Sequence, residues 1–135
     1  MKIKMLLIIA LSLLTTADFA QTAVTKVTVK DETYYITTEL EYNIIGLYKY
    51  EEKGAPIVEL NKDGTGIFQL HGMPQKEMKW GIESDAKGVP KQLKVVWGSV
   101  YRLWYQVGDV WDIIQLSVHT DERKIYILGE RIKTY

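Results

Sequence analysis

Apolar and polar residues alternate with a period of two along most of this 135-residue chain, the spacing of extended strands that bury one face. Met78, Trp80 and Ile82 share one side of such a segment, with Glu77, Lys79, Gly81 and Glu83 on the other. Tyr34, Ile36, Thr38, Leu40 and Tyr42 repeat the pattern, as do Leu93, Val95 and Trp97, and Tyr101, Leu103, Tyr105 and Val107. Ile114, Leu116 and Val118 follow, then Ile125 and Ile127. With shorter runs at 24–29, 44–50, 56–60 and 64–70, the alternation predicts about eight to ten strands. Asn61-Lys62-Asp63-Gly64 reads as a hairpin loop in which Gly64 takes the positive φ of a bulge. Lys87-Gly88, Gly108-Asp109 and His119-Thr120-Asp121-Glu122 mark further turns, while Thr38 and Glu41 allow at most one short helix through Asn43. Many short strands joined by turns predict an all-β fold, an antiparallel sheet that either folds into a sandwich or closes into a small barrel, and closure would also remove exposed edges.

Only the first segment breaks the alternation. Lys2 and Lys4 precede an apolar run from Met5 to Leu14, and small residues follow with Ala17 and Ala20, the three parts of a secretory signal peptide. Residues 1–20 therefore read as a leader and 21–135 as a single domain, exported to a periplasm or the outside. The apolar run is about half the ~20 residues that a spanning helix needs, so no membrane insertion is expected after cleavage. With Lys2, Lys4 and Asp18 removed, 15 basic and 16 acidic residues remain, without the basic excess that nucleic acid or anionic lipid requires. The chain has no cysteine, so its stability must come from packing.

Ile45 to Ile82 resembles the bacterial lipocalin-like small exported domains. Gly46-Leu47-Tyr48 stands where those have a Gly-x-Trp strand, Asp63-Gly64-Thr65-Gly66 gives their turn, and Trp80-Gly81-Ile82 gives their third element. The resemblance implies an up-and-down barrel with an apolar interior. It also implies that a late basic residue, Arg131, packs across the ring at position 48; read from the residues alone, Glu130-Arg131 is equally an exposed charged pair at a strand end.

Candidate chemistry lies mainly in the aromatic residues. Tyr48, Trp80, Trp97, Tyr101 and Tyr105 are candidates for an apolar ligand site, their hydroxyl and indole tips orienting the ligand. Alternatively the rings fill the barrel and leave a shallow pocket at one mouth, since about eight strands enclose just enough room for side chains. Trp104 and Arg102 fall on the opposite parity and suit an outward contact surface for another exported protein, such as an inhibitor or immunity factor would use. No catalytic residue is nominated. Ser84, Ser99 and Ser117 lack a nucleophile elbow, and Gly64-Thr65-Gly66 lacks the helix that a phosphate loop needs. Carboxylates such as Glu59, Asp112 and Glu130 cannot be paired from sequence. His71 and His119 are too few and too far apart for a metal site, so the chain reads as a non-enzyme without cofactor.

Overall fold

A computed structural model describes residues 24–135, so the leader expected at 1–20 lies outside the described residues. Eleven strands are present: β1 (Thr25–Val29), β2 (Glu32–Thr37), β3 (Gly46–Tyr50), β4 (Ile57–Leu60), β5 (Thr65–Phe68), β6 (Lys76–Ser84), β7 (Gln92–Val95), β8 (Gly98–Val107), β9 (Val110–His119), β10 (Lys124–Ile127) and β11 (Arg131–Thr134). No helix occurs among the described residues. The stretch where a short helix was allowed, Thr38 to Asn43, is irregular; the Glu39 amide donates to Thr37 Oγ1 at 3.2 Å, and Leu40, Tyr42 and Ile44 turn inward to close one end of the core.

Eight of these strands, β3, β4, β5, β6, β8, β9, β10 and β11, form a closed antiparallel barrel. Consecutive barrel strands are neighbours throughout, and β11 returns to β3 through Arg131↔Tyr50 and Ile132↔Lys49. This is the up-and-down antiparallel barrel that the resemblance implies, and it decides against the sandwich that the alternation and turns left open. Gly64, at φ 87°, sits in the β4–β5 hairpin as expected. Tyr48, Val58, Leu60, Trp80, Ile82, Tyr101, Leu103, Leu116, Val118, Ile125 and Ile127 form the core.

The remaining three strands flare from the barrel. β6 pairs with β5 through its first half and with β2 through Ile82–Ser84, so the β1–β2 hairpin continues the sheet beyond the end of β5. There it lies on the outer face, where Val27 and Ile36 bury Trp104 and Tyr34 packs on the indole with ring centroids 4.6 Å apart. Gly81 makes the approach possible, since a Cβ at that position would stand 2.7 Å from Ile36. β7 pairs only with the first half of β8, and β1 only with β2, so each is an edge strand.

Two register expectations are corrected. Leu93 and Val95 pair with Val100 and Gly98, on the outer parity, because Gln92 pairs with the inward Tyr101 and donates its parity to the core side. Trp97 lies in the turn between β7 and β8, outside the barrel, stacked on His119 at 4.2 Å.

Candidate functional site at the barrel mouth

Strand pairing fixes which side chains point into the barrel, because directly paired residues share a face. At the end where β3, β5, β8 and β10 finish, the last inward positions are Tyr50, Phe68, Lys76, Val107, Val110, Asp112, Ile127 and Arg131. The other end is covered by the Thr38–Ile45 stretch, with Tyr42 edge-on to Tyr135 and the Tyr48 hydroxyl donating to the Ile44 carbonyl at 2.6 Å. The mouth is thus the end at which the interior meets solvent.

One half of this mouth is sealed. Arg131 is 1% exposed, its Nη2 donates to the Gln69 carbonyl at 2.7 Å, and its Nη1 donates to Glu130 Oε1 at 2.7 Å. Glu130 Oε1 also meets His71 Nε2 at 2.7 Å, and the His71 ring stands edge-on to Tyr50. These contacts strap the β5–β6 loop to the β10–β11 loop. The guanidinium lies over Phe68 at 6.0 Å, and this corrects the expectation that it packs across Tyr48. Arg131 reaches β3 beside Tyr50, one inward position nearer the mouth than Tyr48.

The other half is open. A cavity of about 170 Å³ is lined by Phe68, Leu70, Met73, Tyr105, Val107 and Val110, with Lys76 and Asp112 among its walls. Phe68 and Tyr105 stack with centroids 4.6 Å apart and form a flat aromatic surface there. Leu70, Met73 and Val110 remain exposed at the rim, an apolar border that a closed core would have buried. Burial, then the nearby Asp112 carboxylate, push the Tyr105 phenol above the ordinary tyrosine range.

Of the five aromatic candidates, only Tyr105 lines this cavity. Tyr48, Trp80 and Tyr101 are buried core: the Trp80 indole donates to the Asn61 and Thr65 carbonyls, and the Tyr101 hydroxyl donates to Gln92 Oε1. Trp97 is on the far outer rim with His119 and Tyr126. The expected contact surface is also divided. Arg102 is exposed, 3.7 Å from Glu83, whereas Trp104 is 3% exposed beneath the β1–β2 hairpin, its indole donating to Glu83 Oε1 at 3.0 Å. Its outward parity was legible, but its cover comes from Val27 and Ile36, 77 and 68 residues before it in sequence.

Phe68, Lys76 and Asp112 were not among the expected site residues. A signal existed: Lys76 extends the inward column Met78–Trp80–Ile82, and Asp112 extends Ile114–Leu116–Val118, so each places a charge on an apolar face. Comparison with protein-family models, curated proteins and solved structures finds no match.

Proposed function

We propose that this chain is an exported, lipocalin-like binding protein that holds a small apolar ligand at the open mouth of its barrel and performs no catalysis. The cavity over the stacked Phe68–Tyr105 pair carries this reading. Its apolar walls favour apolar ligands, and its volume suits a single ring or a short alkyl group; an apolar cavity of about 150 Å³ is enough for benzene. Export is supported by the leader pattern of residues 1–20. Amide chemical-shift mapping with ethylbenzene as probe tests the site. Saturable shifts confined to Phe68, Leu70, Tyr105 and Val110 are expected, and Val110→Trp, which fills the cavity, should abolish them. Shifts scattered over the outer face would sink the proposal.

A second reading, a protein-binding module, is favoured by the β7 edge. Leu93 is 65% exposed on the outer face of the β7–β8 pair, the face that carries the exposed Arg102, and Val96 in the turn after β7 is fully exposed. This replaces Trp104 with Leu93 as the apolar partner of Arg102 in a contact surface. Leu93→Lys should then disrupt capture of an exported protein while leaving ethylbenzene binding intact.

A further inference from the structure

Only four inward-facing barrel positions carry charge: Lys76, Asp112, Arg131 and Lys133. Two of these have polar partners within the chain. Arg131 is bonded to Glu130 and Gln69, and the Lys133 ammonium donates to the Asn43 carbonyl at 2.9 Å. Lys76 and Asp112 differ, because both are exposed to solvent at the mouth and neither side chain forms a hydrogen bond or ion pair with any described residue. Both line the mouth cavity, on strands that flank β8 from opposite sides. One cation and one anion therefore border a single apolar cavity whose floor is an aromatic pair. The Tyr105 hydroxyl, paired across the strands with Asp112, is also without a hydrogen-bond partner among the described residues.

We infer that the mouth selects a zwitterion with an apolar side group, such as a free hydrophobic amino acid, with its carboxylate at Lys76 and its ammonium at Asp112 and the Tyr105 hydroxyl. This rests on the mouth cavity being the ligand site. A purely apolar ligand would leave both charges to water alone. A fatty acid would use Lys76 and place its carboxylate in the field of Asp112, and an alkylamine would do the converse. Only a dipolar head group meets both, and the opposite charges of the walls cancel any preference for a net charge. The ring or branched side chain of such an amino acid has the size of the cavity.

Four probes of one skeleton test this by titration calorimetry: L-phenylalanine, 3-phenylpropanoate, 2-phenylethylamine and ethylbenzene. Phenylalanine should bind about tenfold more tightly than each singly charged analogue, the loss that follows from removing a charge-assisted hydrogen bond in a partly solvated site. Lys76→Gln should erase its advantage over 2-phenylethylamine, and Asp112→Asn its advantage over 3-phenylpropanoate, while far-UV circular dichroism and the urea midpoint show that both variants are folded. Equal affinities for all four probes, or tightest binding of ethylbenzene, would overturn the zwitterion inference and leave the apolar mouth standing. Absence of binding by all four at millimolar concentration would overturn both.

Discussion

Arg131 and Phe68 meet inside the barrel mouth, the guanidinium 6.0 Å over the ring, and so place a nearly inaccessible cation on the apolar face of the last strand. Its Nε has no hydrogen-bond partner, the only buried side-chain polar atom so left among the described residues. Taking such a charge out of water is repaid only in part by Glu130, which is itself partly exposed, and by the Gln69 carbonyl. Arg131→Met keeps the packing on Phe68 and removes the charge, so its stability in urea should change by less than about 1 kcal/mol. Arg131→Ala loses the packing as well and should cost about 2 to 4 kcal/mol. Equal losses in the two variants would mean that the charge, not the packing, holds the strap together.

Trp80 is the largest fully buried side chain and makes two hydrogen bonds from one indole nitrogen. Trp80→Ala should cost about 3 to 5 kcal/mol. Trp80→Phe retains most of the volume and loses the donor, which should cost about 1 to 2 kcal/mol. Chemical denaturation followed by far-UV circular dichroism measures both, and a loss below about 1 kcal/mol for the alanine variant would contradict a core position.

Gly81 is required by Ile36, which would meet a Cβ there at 2.7 Å. Gly81→Ala should therefore loosen the β1–β2 hairpin and cost about 1 to 3 kcal/mol through overpacking. Adding Ile36→Ala relieves the clash, so the two losses should combine to less than their sum in a double-mutant cycle. Strict additivity would show that Gly81→Ala acts elsewhere. Amide exchange in Thr25 to Thr37 should rise in the single variant before exchange in the barrel does.

Stability should fall in alkali. Burial pushes the Tyr48 phenol far above the ordinary tyrosine range, and burial raises Tyr101 and Tyr105 as well. Above about pH 10 the unfolded chain has lost these protons while the folded chain keeps them, so stability drops by up to about 1.4 kcal/mol per pH unit for each such group. Burial lowers Lys133, and this opposes the trend: the folded chain sheds that proton first, and stability gains as pH rises from the folded pKa to the ordinary lysine value. The tyrosines outnumber the lysine, so the net slope is negative. Urea midpoints between about pH 8 and 11 check it, and Tyr48→Phe should flatten the slope by about one proton while losing about 1 kcal/mol at neutral pH from its bond to Ile44. An unchanged slope in that variant would assign the alkaline loss to the other tyrosines.

By itself the sequence determined the fold class and most strand faces. Period-two alternation carries both, since a strand whose one side is buried must repeat every second residue; the columns Met78–Trp80–Ile82 and Tyr101–Leu103–Tyr105 were legible for this reason. Alternation also placed Trp104 outward, and Gly64 in a hairpin loop. What lies beyond a strand's face required the tertiary structure. Whether an outward side chain meets water or another strand depends on remote pairing, and β2 on β6 is what covers Trp104. Leu93 and Trp97 were misplaced because β7 is a short edge strand followed directly by a turn, too brief for alternation to fix its register. The mouth is likewise a product of remote pairing: Phe68 pairs with Lys76 and Tyr105 with Asp112, and the β6–β8 pairing, which skips β7, brings the two pairs around one cavity.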